Sequence, residues 1–149
     1  MARRPGRKLL GVDLGERRVG VAVSDDTGLI ATPVTVIDLR KGSLADVAQL
    51  AHELQVDAIV AGLPLNMAGD EGRQALDVRL QCDELAGLTS LPIVFWDERL
   101  TTAIAEDMIA KRGARRRKQV RQLDAIAAAI MLQSYLDSHP LPRDTRADG

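Results

Sequence analysis

The stretch LLGVDLGERRVGVAVS, residues 9–24, decides the fold. Its apolar start, residues 9–13, predicts a buried strand, and the alternating residues 19–24 predict a second strand after a turn. A third strand is predicted at residues 31–37, beyond another turn signal. Strands separated by such short turns form antiparallel hairpins, so the chain begins with three antiparallel strands.

The pattern changes after these strands. Ser43 can cap a helix, and the apolar residues 58–63 are typical of a strand covered on both faces. The remaining elements are predicted as a helix at 71–85, a strand at 93–96, a short helix capped by Thr101 or Thr102, and a helix at 120–136. Hairpins followed by helix–strand crossovers predict an α/β fold in which helices pack on one mixed sheet.

The length of 149 residues fits one domain, residues 1–149, with a basic start at 1–8 and a polar end at 138–149 that we expect to be flexible. Aromatic residues make up 2% of the chain, which argues against modules that stack bases on aromatic side chains. No stretch approaches the roughly 20 apolar residues of a membrane span, and the apolar run after the basic start is too short for a signal peptide. A cytoplasmic protein is expected, in which the single Cys82 is a core residue rather than a catalytic thiol.

The charges are segregated along the chain. Residues 1–8 carry four basic groups and residues 111–121 carry seven, with no acid in either segment, whereas the remainder has a net charge of −12. Basic segments on an acidic body favour binding of a polyanion at selected places. The alternative is a disordered start and a solvated loop; nucleic-acid binding is favoured for 111–121 and left open for 1–8.

Three carboxylates lie where an unpaired charge is costly. Asp13 ends the first strand, Glu98 follows the strand at 93–96, and Asp124 interrupts the apolar stripe of the last helix. A buried carboxylate pairs, binds metal or takes a proton, and oxygen ligands suit Mg²⁺ or Mn²⁺. Two such ions about 4 Å apart can activate a water and stabilise the leaving oxygen of a phosphoryl displacement. The sequence therefore predicts a metal-dependent catalytic site at these three acids.

Each acid also has an ordinary explanation. Asp13 could be a turn residue, Glu98 and its neighbour Asp97 could start a loop or pair with Arg99, and Asp124 could pair with a basic residue of its own helix. The combination of three such acids favours a site. A histidine-based nuclease is disfavoured, because His52 and His139 are not near a motif.

Several neighbouring residues could bind substrate. Arginine suits bidentate contacts to phosphate, and glycines allow a backbone to approach a ligand closely. The candidates are Arg17 and Arg18 in the turn after Asp13, Asn66 in the loop at 62–69, Arg99, Thr101 and Thr102 after Glu98, and Arg115, Arg116, Arg117 and Lys118 in the basic segment.

In this order the motifs resemble a known family. They are Gly11-Val-Asp13-Leu-Gly15 with Gly20-Val-Ala22, Gly62-Leu-Pro64 with Gly69, Asp97-Glu98-Arg99-Leu-Thr101-Thr102, and Asp124-Ala-Ile-Ala127-Ala128. The combination resembles the YqgF, or RuvX, family of candidate Holliday junction resolvases and pre-16S rRNA nucleases, over residues 10–136.

The resemblance implies a ribonuclease H-like fold, with a five-stranded mixed sheet whose first three strands are antiparallel. It implies metal-binding acids at Asp13, Glu98 and Asp124. Asp97 is the less favoured neighbour of Glu98, because adjacent strand residues point to opposite faces. The implied activity is trimming of the 5′ end of the 16S rRNA precursor, and the older proposal for the family is resolution of Holliday junctions.

Other functions stay open at this point. A junction resolvase would use the same residues but needs two active sites, hence a dimer, whereas an RNA nuclease can be a monomer or a homodimer. A nucleotide-binding ATPase is disfavoured because such folds clamp the nucleotide between two lobes and 149 residues hold one. A non-catalytic RNA-binding ribosome-assembly factor would leave the three acids unexplained, since acids repel phosphate unless metal intervenes.

Overall fold

Five strands form one mixed sheet in the order β3-β2-β1-β4-β5. The computed structural model describes residues 7–113 and 122–140. Its elements are β1 (Leu9–Leu14), β2 (Arg18–Ser24), β3 (Ala31–Asp38), α1 (Leu44–Glu53), β4 (Ala58–Leu63), α2 (Arg73–Ala86), β5 (Ile93–Asp97), a 3₁₀ turn (Glu98–Leu100), α3 (Ala103–Gly113) and α4 (Gln122–Ser138). Strands β1, β2 and β3 pair antiparallel, and β4 lies parallel to both β1 and β5. The predicted mixed sheet is confirmed.

Element boundaries differ from the predictions by one or two residues. Helix α2 begins at Arg73 rather than at residue 71, because Glu71 forms a β-bridge with Leu65 and an ion pair with Arg79. Helix α4 extends to Ser138, so the predicted polar end at 138 starts inside the helix. Residues 1–6, 114–121 and 141–149 lie outside the described part of the chain, and so do the predictions made for them.

Local side chains start two of the helices. Ser43 caps α1 as predicted: its hydroxyl accepts from Ala45 N–H, and the Asp46 carboxylate accepts from Ser43 N–H. Of the two predicted caps of α3, Thr102 fills the role, since its hydroxyl accepts from Ala105 N–H at 3.0 Å. These caps satisfy backbone donors that no helical partner could reach.

Alternation along β1 divides the core into two layers. Leu10, Val12 and Leu14 face α1 and α2, whereas Leu9 and the other odd-numbered positions face α4. Asp13 therefore lies on the α4 face of the central strand. Cys82 is buried in the opposite layer, as its predicted core role requires.

Helix α4 lies unusually close to the sheet. A Cβ at Gly11 would be 2.9 Å from Leu132 Cβ, and one at Gly20 would be 1.9 Å from the Asp124 carbonyl oxygen. The buried amide of Gln133 adds polar contacts, accepting from Ala31 N–H and donating to Leu29 C=O. In residues 7–113 and 122–140, no helix is both long and apolar enough to cross a membrane.

Candidate active site

The central strand supplies the first acid of the site. Asp13 pairs with Gly20 across β1 and β2, and it follows the paired residues Val12 and Ala61, so Gly62 of β4 lies on its other side. Asp13 is thus flanked by two glycines, whose missing side chains let the α4 backbone and the Glu98 side chain approach the sheet beside it. Its carboxyl group points toward α4 and is partly buried.

The last helix supplies the second acid. Asp124 lies in the first turn of α4, directly over Gly20, where the missing Cβ lets the helix backbone touch the sheet. The close approach places the Asp124 carboxyl near that of Asp13. Burial, and then the negative charge of Asp124, raise the pKa of Asp13 above its usual value.

The edge strand supplies the third acid. Glu98 follows β5 directly, and its side chain packs against Gly62. A Cβ at Gly62 would be 2.5 Å from Glu98 Oε1, which is too close. Burial raises the pKa of Glu98 to about 7, with further contributions from the charges of Asp13 and Asp97. Three separate elements therefore supply the three predicted acids, and the charge of Asp13 interacts unfavourably with those of Asp124 and Glu98.

Asp97 and Arg99 form the ion pair that was predicted as the alternative to a metal-binding role for Asp97. Arg99 donates from Nε and Nη2 to the Asp97 carboxylate at 2.6–3.1 Å, and this holds the pKa of Asp97 low. Asp97 pairs in the sheet with Leu63, a residue of the opposite core layer, so its side chain leaves the α4 face. Arg99 also donates to Met67 C=O and so fixes the nearby loop.

Among the residues that the structure describes, Arg18 is the basic group that contacts the acids. Its Nε lies 2.9 Å from Asp124 Oδ2, an ion pair in which both side chains keep solvent contact. That Oδ2 atom is itself buried and makes no hydrogen bond of good geometry, although the ion pair is short. The predicted pairing of Asp124 along its own helix would involve residues outside the described part of the chain.

The other residues predicted to bind substrate differ in their roles: some hold the local backbone, one is exposed, and four lie outside the described residues. Asn66 caps its own turn, accepting from Ala68 and Asp70 N–H. Thr102 caps α3, its N–H donates to Ser134 Oγ, and Thr101 N–H donates to Glu98 C=O, so both threonines support the backbone around Glu98. Arg17 is exposed in the turn beside Arg18. Arg115, Arg116, Arg117 and Lys118 lie outside the described residues.

Two other types of catalytic group are unsuited to the site. Burial raises the pKa of the Cys82 thiol to about 11, which disfavours the reactive thiolate. His52 is on α1, across the sheet from the acids, and His139 stacks on Tyr135 at the far end of α4. The chemistry available on this face is therefore that of carboxylates and arginine.

The chemical type of the three candidate ligands, carboxylate oxygen, suits a hard divalent cation. All three acids offer oxygen, the ligand that Mg²⁺ and Mn²⁺ prefer. As they stand, no three acidic, histidine or cysteine groups in the described ranges are close enough to hold one ion.

Sequence reasoning missed the role of Gly20 and Ser134. Gly20 opposes Asp13 and receives the Asp124 backbone, and Ser134 Oγ accepts from Thr102 N–H next to the site. A glycine inside a predicted strand was the available signal for Gly20, because it marks a close backbone approach. Ser134 carried no comparable signal.

Comparisons with known proteins agree with this arrangement. The profile described as "RuvX: Holliday junction resolvase" matches residues 7–138. A protein of Roseiflexus sp. (strain RS-1) is 44% identical over 140 residues, covering 93% of this chain and 99% of its own length. One of Chloroflexus aggregans is 42% identical over 136 residues, covering 90% and 96%. Both carry the name "Putative pre-16S rRNA nuclease".

Solved structures share the fold at low sequence identity. RuvC of T. thermophilus in complex with a Holliday junction substrate superposes with a TM-score of 0.61 at 15% identity, covering 89% of this chain and 96% of that one. Fowlpox virus resolvase, also bound to junction DNA, gives a TM-score of 0.57 at 14% identity, covering 88% and 97%. The ribonuclease H-like fold is therefore confirmed, and nucleases of this fold generally use divalent metal ions.

Proposed function

Because this chain belongs to the RuvX family and is thereby a nuclease, a hydrolase of phosphodiester bonds, we propose that its substrate is RNA and that it processes the 5′ end of the 16S rRNA precursor. The reaction would depend on Mg²⁺ or Mn²⁺ and take place in the cytoplasm. Residues 1–149 would form one nuclease domain, acting as a monomer or homodimer. The names of the curated relatives support the choice of substrate.

The convergence of Asp13, Glu98 and Asp124 carries this proposal. Their carboxylates would hold the metal, which would supply activation of a water and stabilisation of the leaving oxygen. Asp13, on the central strand, lies between the other two and would contribute to both sides of the site. Burial, and then the neighbouring carboxylates, raise the pKa values of Asp13 and Glu98, and a bound cation would offset both effects.

Basic side chains would hold the substrate backbone. Arg18 lies at the acids and Arg17 beside it, while Arg115, Arg116, Arg117 and Lys118 belong to the basic segment. Phosphate contacts of this kind fix the position of a nucleic acid without reading its bases. Asn66, Arg99 and Thr102 also hold the local backbone through their hydrogen bonds. We propose that these three residues and Thr101 contact the substrate as well.

One comparison tests the proposal. Wild type, Asp13→Asn and the control Asp83→Asn, which alters an exposed acid of α2, are each incubated with 5′-extended 16S precursor, single-stranded RNA and a four-way DNA junction. Each incubation is run with Mn²⁺ and with EDTA. Asp→Asn keeps the shape and removes the charge that binds metal. We expect RNA cleavage by wild type and Asp83→Asn with Mn²⁺ alone, and a loss of at least about 100-fold in Asp13→Asn.

Cleavage of the junction alone would favour the second candidate, a Holliday junction resolvase. The description of the family and the resolvase fold support that candidate. Such an enzyme should be a dimer, because its substrate has two-fold symmetry. RNA binding without any cleavage would instead indicate a non-catalytic assembly factor, and cleavage that survives EDTA would exclude the metal mechanism.

A further inference from the structure

Arg18 and Asp124 form the contact from which this inference starts. Arg18 is the first residue of β2 and shares a strand face with Gly20, two residues on, against which the Asp124 backbone packs. This placement brings Arg18 Nε to 2.9 Å from Asp124 Oδ2. The Arg18 and Asp124 side chains are 48% and 32% exposed, so the pair lies at the solvent-facing side of the site. The two side chains can therefore separate without unfolding of the protein.

The two arginines near the acids are held very differently. The Arg99 side chain makes three hydrogen bonds to the Asp97 carboxylate and a fourth to Met67 C=O. Arg18 contacts Asp124 through one ion pair that lacks hydrogen-bond geometry. Arg99 is therefore a fixed part of the loop, whereas Arg18 is held by charge and can be exchanged.

The charge balance of the site explains why Arg18 is there. Asp13, Glu98 and Asp124 bring up to three negative charges together, and Arg18 is the cation that contacts them among residues 7–113 and 122–140. A divalent cation bound at Asp124 would take over this neutralisation. It would also repel the guanidinium, because two positive charges would then share one carboxylate.

We propose that Arg18 is an exchangeable counter-ion of the site, which neutralises Asp124 before a divalent cation binds and is displaced when the cation arrives. The inference rests on the proposed metal-dependent function. It assigns Arg18 a positioning role: the displaced side chain stays at the solvent-facing side of the site, where an arginine suits a substrate phosphate. Arg18 and the metal then compete for the same carboxylate.

Competition predicts that removal of Arg18 strengthens metal binding. We would titrate Mn²⁺ into nucleic-acid-free wild type, Arg18→Gln and Arg17→Gln by isothermal titration calorimetry. Arg17→Gln is the matched control, because it removes the same charge from the adjacent residue and leaves the Arg18–Asp124 pair in place. Arg18→Gln should bind Mn²⁺ about two- to fivefold more tightly than Arg17→Gln, the range expected for a partly exposed ion pair.

A double-mutant cycle without metal gives an independent readout. In EDTA, Arg18→Gln should lower the midpoint of urea unfolding in wild type but not in an Asp124→Asn background, where its partner is uncharged. If Arg18→Gln does not fold, Arg18→Lys replaces it, and weaker pairing by lysine should again tighten Mn²⁺ binding, by a smaller factor.

The outcomes separate this inference from the function on which it rests. Mn²⁺ binding that is equal or weaker in Arg18→Gln than in Arg17→Gln overturns the exchange and leaves the metal site intact. Absence of Mn²⁺ binding in every protein, wild type included, overturns both. Tighter binding in Arg18→Gln together with coupling in the cycle supports the exchange.

Discussion

The ionisation of Glu98 is disfavoured by its surroundings in the fold. Its pKa rises from 4.5 in ordinary surroundings to about 7 in the fold. The folded state therefore binds a proton more tightly than the unfolded state, and the stability this contributes is present below pH 4.5 and lost as pH rises toward 7. Asp13, whose pKa is also raised, acts in the same direction.

We expect Glu98→Gln to remove much of this pH dependence. In EDTA, the unfolding free energy of wild type should fall by about 1–2 kcal/mol between pH 4.5 and 7, whereas that of Glu98→Gln should not show this loss. The expected loss is smaller than the pKa shift alone would give, because Glu98 keeps some solvent contact. Urea unfolding across this range measures it, with Glu84→Gln, an exposed acid of α2, as the control. Equal pH profiles for wild type and Glu98→Gln would contradict the assigned environment.

At the scale of elements, the contact between α4 and β2 builds the site. A Cβ at Gly20 would meet backbone atoms of Asp124 and Ala125, and a helix backbone cannot move aside as a flexible side chain can. At Gly62 the obstacle is instead the Glu98 side chain, which can rotate away. The first glycine therefore controls the position of a helix, and the second controls the position of one carboxylate.

Gly20→Ala should destabilise the fold as well as the site. We expect a loss of about 1–3 kcal/mol, typical of overpacking, because α4 must shift away from the sheet. Gly72→Ala is the control, since a Cβ there would meet nothing within 4 Å. Urea unfolding of both variants gives the comparison; equal stability of the two would show that α4 can adjust at no cost.

The sequence predicted the elements better than their arrangement. Alternation and caps located all five strands and four of the helices, and Ser43 was identified as a cap because its role is local. That β4 inserts beside β1 depends on contacts between segments about 50 residues apart, which periodicity does not encode. The Arg18–Asp124 pair was missed for the same reason.

The site shows the same division between local and distant information. Each acid was found because it ends or interrupts an apolar element, a feature visible in its own neighbourhood. Thr102 was expected both to cap a helix and to contact substrate, and it caps α3; Asn66 was expected at substrate, and it accepts hydrogen bonds within its own turn. Contact of either residue with substrate stays a prediction. A polar residue after a strand can serve either purpose, and the pattern alone does not distinguish them.

For the whole molecule, charge segregation predicts how substrate is held. Replacing Arg115, Arg116 and Arg117 with Ala should weaken RNA binding and reduce the slope of log affinity against log salt by about 2, because fewer counterions are released. Fluorescence anisotropy in EDTA at several salt concentrations measures this. Arg40→Ala with Lys41→Ala, at the turn before α1, is the control for loss of positive charge elsewhere. An unchanged slope in the triple variant would indicate that the basic segment does not contact RNA, as expected of a solvated loop.

The order in which the acids occur along the chain has a consequence for synthesis. Asp13 is on the first strand and Glu98 follows the fifth, but Asp124 belongs to α4, which also supplies much of one of the two core layers. A growing polypeptide therefore lacks both its third acid and part of its core until the final helix has left the ribosome. The site is thus incomplete in any nascent chain from which α4 has not yet emerged.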